Sequence, residues 1–452
     1  MNRKEFVRTG SMAAAAIALA PAAKAFSGYS ATKVKMGIIG VGGRGQSHLD
    51  LLLRRDDVDV VAICDVEVHA LENSKAMIGK NGKKMPQVFT GDNDAWKSML
   101  AVKGGLDGVV IATPWEWHKT MVLGSLEAGL KYVATEVILG ISVQDHWDVV
   151  KAAEKYGANV MMLENVCYRR DVMAVLNMVR QGLFGELIHL QGGYQHDLRD
   201  VKFNNGYNGP PHGVEFGEKG YSEAHWRTQH SVHRNGDLYP THGVGPLANY
   251  ININRGNRFL SLCSFSSKSR GLHNYVEKWG GEHHPNAKVN FKLGDVVTTS
   301  INCANGETLL LQHDTDLPRP YSLGFRVQGT EGLWMDVNKS IYIQDKSTKE
   351  DEWDDAQKWL DQYDHPLWTR WSKATAGAGH GGMDFFVMHA FVESVKQKTA
   401  TPLDVYDAAA WSVISPLSEQ SIELGNQTVE FPDFTGGQWM YRKPEFAMGD
   451  AF

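Results

Sequence analysis

The sequence is poor in cysteine, has no excess of positive charge and contains no long apolar run beyond its first 25 residues. Only four of its 452 residues are cysteines, and none lies in a CxxC pair, so we predict no metal site. Lys and Arg number 46 against 52 Asp and Glu, which argues against a nucleic-acid partner. No later segment approaches the roughly 20 apolar residues of a membrane span. The 42% hydrophobic content predicts packed globular domains instead.

The first 25 residues have the pattern of an export signal. A basic start precedes an apolar run at residues 12–20, and Ala23-Lys24-Ala25 matches a small-x-small cleavage site. Arg3 and Lys4 resemble a twin-arginine signal in which Lys replaces the second Arg, and a general secretory signal is the alternative. We therefore expect a periplasmic or secreted protein.

Strand and helix patterns alternate in the segment that follows, residues 26–165. Helical stretches at 46–53, 120–128 and 145–156 separate short apolar runs at residues 34–39, 58–64, 108–112, 132–134 and 160–163. This alternation is typical of a doubly wound parallel sheet. We predict an N-terminal Rossmann domain and hence the α/β class.

In residues 166–452 the predicted secondary structure changes after a helical stretch at 171–182, from alternating strands and helices to mainly extended segments. Extended segments are predicted at 186–194, 258–267, 295–303, 307–313, 323–328 and 340–343. They favour a C-terminal α+β domain with a largely antiparallel open sheet. A Gly-, Asn- and Pro-rich loop spans 204–220, and helices at 383–396 and 405–424 can pack back on the first domain.

A GxGxxG motif lies between the first predicted strand and the first helix. Such glycines allow backbone amides to approach a pyrophosphate at the helix N-terminus. Asp65 follows the second strand, where a carboxylate can accept hydrogen bonds from ribose hydroxyls and would repel a 2′-phosphate. NAD is therefore the predicted cofactor, and its loop residues are Gly40, Gly42, Gly43, Arg44 and Gly45.

Residues near the ends of the fourth and fifth strands resemble the glucose-fructose oxidoreductase and inositol dehydrogenase family. They are Ala112-Thr113-Pro114, His118 and Glu136. That family has Glu-Lys-Pro where this chain has Glu136-Val137-Ile138, and an Asp where Leu238 precedes His242 by four residues. Both departures count against an NAD-dependent sugar oxidoreductase, which is our first alternative function.

Further motifs resemble another branch, glycoside hydrolase family 109, the NAD-dependent α-N-acetylgalactosaminidases. They are Glu164 to Asp171, Gly193 to Asp197, Trp226-Arg227, Asn235 to Gly243, Arg319-Pro320-Tyr321 and His380 to Asp384. The resemblance implies that Glu164, Tyr194, Tyr239, His242 and Tyr321 line the sugar and the nicotinamide, and that Arg227 meets the substrate. We expect the cofactor site to include Pro114, Trp115, His118, Glu136 and Asn165 as well.

The resemblance also implies a mechanism. Oxidation at C3 of the sugar would acidify C2–H, the C1 substituent would leave by elimination, water would add, and reduction would complete hydrolysis with no net redox change. We assign proton transfer at C2 and C3 to His242 and Tyr239, without deciding which serves which, and place Glu164 beside them. A nonenzymatic carbohydrate-binding protein is the second alternative. Relatives also suggest a homodimer formed through the open sheet.

Overall fold

The computed structural model describes residues 33–449. The predicted export signal at residues 1–25 therefore lies outside the described residues. Within residues 33–449, no helix is both long and apolar enough to cross a membrane.

A six-stranded parallel sheet occupies the first half of the chain, with strand order β3-β2-β1-β4-β5-β6. Its inner strands β4 and β5 are short runs of mostly apolar residues that are buried along their whole length, as a doubly wound sheet requires. This confirms the predicted Rossmann fold. The strands are β1 (Val34–Ile39), β2 (Val58–Cys64), β3 (Gln87–Phe89), β4 (Gly108–Ile111), β5 (Tyr132–Thr135) and β6 (Asn159–Met162).

Five helices connect these strands. The fifth begins with a capping box, in which the Ser142 side chain and the Asp145 carboxylate each bond the other residue's backbone amide. The helices are α1 (Gly43–Leu53), α2 (Val68–Lys80), α3 (Ala95–Leu100), α4 (Trp115–Glu127) and α5 (Val143–Tyr156).

A nine-stranded sheet follows, with strand order β14-β13-β12-β11-β7-β10-β9-β8-β15. Only the central pair β7 and β10 is parallel among its paired strands, so the prediction of a largely antiparallel sheet is confirmed. The strands are β7 (Leu187–Gln195), β8 (Phe259–Ser266), β9 (Val296–Cys303), β10 (Thr308–Asp314), β11 (Arg326–Gly329), β12 (Gly332–Met335), β13 (Ser340–Ile343), β14 (Asp354–Asp355) and β15 (Val429–Glu430).

Ten helices accompany the second sheet. The single helix predicted at 405–424 is wrong, because two helices meet at Val413. Pro416 lacks the amide that would bond the Ser412 carbonyl, so the helical hydrogen bonding is interrupted there. The helices are α6 (Arg170–Arg180), α7 (Arg199–Lys202), α8 (Arg227–His233), α9 (Thr241–Tyr250), α10 (Gly271–Gly280), α11 (Ala356–Gln362), α12 (Pro366–Trp371), α13 (Met383–Gln397), α14 (Val405–Ser412) and α15 (Ile414–Glu423).

The C-terminal helices pack against the first sheet and its helices. Helix α13 contacts α1 and β1, and α14 contacts α5, β6 and α9. Helix α9 in turn lies on β7 of the second sheet. These contacts bring the glycine loop, the end of β6 and the start of α9 to one region of the molecule, where the candidate site lies.

Candidate active site

The glycine loop has the shape of a dinucleotide cradle. Gly40 has φ of +84°, and a Cβ on Gly45 would lie 1.9 Å from the carbonyl oxygen of Gly40, so neither position accepts a side chain. A Cβ on Gly42 or Gly43 would meet no atom within 4 Å. The loop is therefore closed towards the protein and open on the side where a pyrophosphate would approach the start of α1.

Asp65 stands beside this loop at the end of β2. Its Oδ2 accepts a hydrogen bond of 2.7 Å from the amide of Val41, and its Oδ1 accepts one of 2.9 Å from the amide of Glu67. Burial raises the pKa of Asp65, and these amides oppose the rise. The carboxylate is thus fixed where ribose hydroxyls would meet it, and the loop and acid together fit NAD.

Arg44 links the glycine loop to Glu136 at the end of β5. Its Nε donates to Glu136 Oε1 at 2.7 Å, and Nε2 of the buried His48 lies 2.5 Å from the same oxygen. Burial alone would raise the pKa of Glu136, but Arg44 and His48 outweigh it and hold that pKa well below its usual range. Glu136 is therefore an anion. His48 is a site residue that sequence reasoning missed, because an isolated histidine on an amphipathic helix carries no motif.

Arg44 also reaches helix α13. Its Nη1 donates to Asp384 Oδ2 at 2.7 Å, and Asn165 donates to Asp384 Oδ1 at 2.6 Å. His380 Nδ1 lies 2.7 Å from Asp384 Oδ2. Asn165 and Arg44, both predicted cofactor contacts, thus meet through an aspartate that was not predicted as a site residue. The segment at residues 380–384 joins the site and also caps α13, whose N-cap Gly382 has φ of +100°.

The residues at the start of α4 divide into two roles. Pro114 is the N-cap of α4. His118 is fully buried, and its ring nitrogens lie 2.6 and 2.7 Å from the carbonyl oxygens of Ile138 and Thr113, so it braces the two strand ends. Trp115 instead faces the sugar-site residues, with its ring centre 5.8 Å from that of Tyr239.

His242 and Glu164 form a hydrogen-bonded pair at the centre of the site. The Nδ1 atom of His242 lies 2.8 and 2.9 Å from the two carboxylate oxygens of Glu164, which is fully buried. The amide of Val166 also donates to Glu164, at 3.0 Å. With Nδ1 donating to the carboxylate, Nε2 is left as the acceptor on the opposite side of the ring. This arrangement suits a general base.

Aromatic rings surround His242. Tyr194 and Tyr239 have ring centres 4.6 Å apart, and they lie 5.3 and 4.9 Å from the ring centre of His242. Tyr321 lies further out, 48% exposed, with its ring 4.9 Å from that of His196. We call Tyr194, Tyr239, His242 and Tyr321 the aromatic cage. Tyr239 lies outside α9, which begins at Thr241 after the N-cap Pro240.

Arg227 supplies the cation of the cage. Its guanidinium lies 5.1 Å from the ring centre of Tyr239 and 5.3 Å from that of Trp115, and it forms an ion pair with Glu223. Burial raises the pKa of Tyr239 well above its ordinary value, and Arg227 opposes that rise. Tyr239 is therefore a neutral phenol in this environment, and further positive charge beside it would favour the phenolate, the form that can accept a proton. Glu223 and His196 were missed from the sequence.

Two family models together cover almost all of the described chain. The oxidoreductase family with the NAD-binding Rossmann fold matches residues 34–164, and the glycosyl hydrolase 109 C-terminal domain matches residues 168–441. Fold and site thus define an NAD-binding Rossmann protein of the oxidoreductase type that carries a glycosidase domain. The chain belongs to glycoside hydrolase family 109 and is a glycoside hydrolase.

Curated relatives agree with this assignment, and solved structures share the fold. A glycosyl hydrolase family 109 protein from Stenotrophomonas maltophilia (strain K279a) is 57% identical over 99% of this chain and 98% of its own. An alpha-N-acetylgalactosaminidase from Tannerella forsythia is 51% identical over 93% of this chain and 90% of its own. A levoglucosan dehydrogenase in complex with NADH and levoglucosan covers 89% of this chain and 100% of its own with a TM-score of 0.64 at 16% identity, which shows the shared fold.

Proposed function

We propose that this enzyme hydrolyses terminal N-acetylgalactosamine from glycoconjugates by an oxidation, elimination, addition and reduction cycle with no net redox change. The observation that carries the proposal is the Glu164–His242 pair inside an aromatic cage, next to the end of a dinucleotide-binding sheet. The substrate is suggested by the Tannerella forsythia relative, which bears the name alpha-N-acetylgalactosaminidase.

The carboxylates of the site argue against the usual glycosidase chemistry. Classical glycosidases place two carboxyl groups across the scissile bond, one as acid and one as base or nucleophile. Among the described residues around the cage, Glu164 is paired with His242, Glu223 with Arg227, and Glu136 with Arg44. These three carboxylates are committed to basic partners, so none of the three is a free acid or nucleophile.

A nucleotide-assisted route needs only groups that this chain supplies. Residues of the glycine loop and Asp65 would hold the dinucleotide, with Glu136 and Asn165 towards its reactive end. When bound, NAD supplies a reversible two-electron oxidation of C3 of the sugar, which acidifies the neighbouring C2–H.

His242 and Tyr239 would move the protons. One takes the proton from the C3 hydroxyl and returns it when C3 is reduced. The other takes the proton from C2 and returns it after water has added at C1, and the proton released by that water balances the one that the leaving oxygen takes up. Buried Glu164 stabilises the charged imidazole, and Arg227 stabilises a phenolate at Tyr239. Tyr194, Arg227 and Tyr321 would orient the sugar ring.

Hydrolysis of a nitrophenyl N-acetyl-α-galactosaminide without added NAD tests the proposal. We expect many turnovers per enzyme, whereas a sugar oxidoreductase would stop after one stoichiometric reduction and a carbohydrate-binding protein would release no nitrophenol. In deuterated water, label should appear at C2 of the product. Comparing Tyr239→Phe with His242→Ala identifies the C2 base as the variant in which substrate still reduces the bound dinucleotide while no deuterium exchanges into C2. Full activity in enzyme stripped of dinucleotide would overturn the proposal.

We also propose that the enzyme is exported and dimeric. The pattern of residues 1–25 supports export, and fractionation of cells that express the full chain tests it. The nine-stranded sheet exposes Ile188, Leu260 and Phe265, which supports pairing with a second copy through this sheet. Analytical ultracentrifugation of the wild type and of Phe265→Asp tests the dimer, because a charge on this surface would separate the two copies.

A further inference from the structure

The Arg319-Pro320-Tyr321 motif lies in residues 315–325, a segment of the described chain that connects β10 to β11 and forms neither a helix nor a strand. This segment carries Tyr321, the half-exposed member of the aromatic cage. Pro318 and Pro320 flank Arg319 and have no amide to donate, so the backbone beside Tyr321 can form fewer hydrogen bonds. Side-chain contacts must therefore contribute to holding this ring in place.

Arg319 anchors the segment to two neighbouring strands. Its Nη2 donates to Gln195 Oε1 at 2.6 Å, and its Nη1 forms an ion pair with Asp314 at the end of β10. Gln195 is the last residue of β7 and directly follows Tyr194 of the cage. The planar guanidinium thus binds two strand ends at once, through two nitrogens with a fixed relative geometry.

Gln195 also holds the chain on the other side of Tyr321. Its amide donates to the Ser322 carbonyl oxygen at 3.1 Å, and the Ser322 amide donates to the Gln195 carbonyl oxygen at 2.9 Å. A Cβ on Gly324 would lie 2.6 Å from Gln195 Nε2, so the segment packs closely against this side chain. Gln195 is itself buried, and its Nε2 donates to Gln312 Oε1 at 3.2 Å, which fixes the orientation of its amide.

These contacts determine where the Tyr321 ring lies. Arg319 and Ser322 both bind Gln195, and Tyr321 stands between them in the chain. Its ring lies against that of His196, the residue after Gln195, with the two ring centres 4.9 Å apart. Loss of the Arg319 side chain would release one of these two attachments and give the ring more freedom to move away from the cage.

We infer that Arg319 is a positioning residue for sugar binding, and that it holds the Tyr321 ring at the open side of the aromatic cage. The inference rests on the proposed function, since it concerns the sugar bound at the same site. The guanidinium already bonds Gln195 and Asp314, so it acts through the segment that it holds. It orders the ring before the sugar arrives, and less conformational freedom is then lost on binding. Removal of Arg319 should therefore weaken sugar binding and leave the chemical step nearly unchanged.

Calorimetric titration of the holoenzyme with N-acetylgalactosamine tests this role. In Arg319→Ala we expect the Kd to rise about tenfold. The KM for the nitrophenyl substrate should rise similarly, while kcat changes by less than about threefold. Arg258→Ala is the matched control, because Arg258 also pairs with a carboxylate, Asp433, and its side chain is 22% exposed against 24% for Arg319. The control should change none of these values, and an unchanged Kd in Arg319→Ala would overturn the inference.

A double-variant cycle distinguishes positioning of Tyr321 from a general loss of structure. Tyr321→Ala should weaken binding at least as much as Arg319→Ala does. Adding Arg319→Ala to Tyr321→Ala should weaken it no further, because the ring that Arg319 holds is then absent. Additive losses of affinity in the double variant would overturn the inference.

Arg319→Lys keeps the fold testable if the alanine variant does not fold. The lysine retains a positive charge beside Asp314 but lacks the second nitrogen that reaches Gln195, so we expect the same rise in Kd. Wild-type affinity in Arg319→Lys would overturn the inference.

The inference and the proposed function fail in different measurements. If the wild type binds N-acetylgalactosamine but hydrolyses no nitrophenyl substrate, the proposed function is overturned, and the binding cycle still decides the role of Arg319. If the wild type hydrolyses the substrate and Arg319→Ala binds the sugar as tightly as the wild type, the inference is overturned and the proposed function stands.

Discussion

Nδ1 of His242 lies 2.8 Å from Oε1 and 2.9 Å from Oε2 of Glu164, although 78 residues separate the two in the chain. Glu164 ends the segment that follows β6, and His242 stands in the first turn of α9. The buried carboxylate fixes the ring orientation and determines which nitrogen faces the cage. It also provides a negative charge for the imidazolium that forms when His242 accepts a proton.

The charge of Glu164 is therefore expected to matter more than its size. Glu164→Gln should reduce kcat on the nitrophenyl substrate by at least about 100-fold, because an amide does not stabilise the protonated ring. Glu393→Gln is the control, since Glu393 is a partly buried carboxylate that, like the fully buried Glu164, has basic partners, here Arg55 and Lys396. A loss of activity below tenfold in Glu164→Gln would contradict the assigned pair.

Tyr239→Phe tests the phenol without emptying the cage. The ring of residue 239 is retained, with its centre 4.6 Å from that of Tyr194 and 5.8 Å from that of Trp115. We therefore expect the free energy of unfolding to change by less than about 1 kcal/mol. The kcat should fall by about 100-fold or more. Tyr250→Phe has the opposite profile: it removes a core hydrogen bond of 2.9 Å to the Val172 carbonyl, which should lower stability while activity is retained.

Substitution by alanine should have different effects on stability and on NAD affinity at two glycines of the cradle. In Gly45→Ala the new Cβ meets the Gly40 carbonyl oxygen at 1.9 Å, so the loop must shift, at a cost of about 2 kcal/mol. In Gly42→Ala the methyl group meets no protein atom, so the fold should persist while NAD affinity falls about tenfold. Thermal unfolding and NAD content after gel filtration measure the two effects. Equal thermal stability in both variants would contradict this account of the loop.

Asp237 should make stability depend on pH. Burial raises the pKa of this carboxyl from 3.8 to about 7, its Oδ2 has no hydrogen-bond partner, and its Oδ1 accepts only a 3.2 Å bond from the Tyr239 amide. Between these two pKa values the native state binds more protons than the unfolded chain. The free energy of unfolding therefore falls as pH rises from about 4 to 7, and the loss remains at higher pH.

Asp237→Asn removes this penalty because an amide cannot ionise. We expect the variant to be more stable than the wild type by about 2 kcal/mol at pH 8 and equal to it near pH 4, as measured by urea unfolding across the pH range. Asp56→Asn, at a fully exposed position, should show no such difference. A constant offset at all pH values would mean that Asp237 does not change its protonation state over this range.

Local patterns predicted much of the framework. The predicted bounds of β1 and β2 agree with the structure, because each strand is an apolar run long enough to be recognised without its neighbours. Strand β3 has only three residues, and β12 contains a glycine and a tryptophan. Neither segment therefore shows a clear alternation of apolar and polar residues. The helix at α9 was missed because two glycines and a proline lower its propensity, whereas tertiary packing stabilises it.

The site was predictable only where motifs mark it. The glycine loop and Asp65 follow from spacing, whereas the cage residues were inferred from a resemblance. Asp384 binds Arg44 across 340 residues of sequence, and no local signal indicates such a pairing. The role of His48 depends on how α1 approaches the end of β5, whereas Glu223 lies only four residues from Arg227 in the chain.

The bond from Arg44 to Asp384 joins the first turn of the chain's first described helix to its last long one. During synthesis, the glycine loop leaves the ribosome hundreds of residues before its partner. The bond between Arg44 and Asp384 can form only after Asp384 has emerged, when most of the polypeptide has been made. A chain truncated before α13 would then lack an anchor for the very loop with which its fold begins.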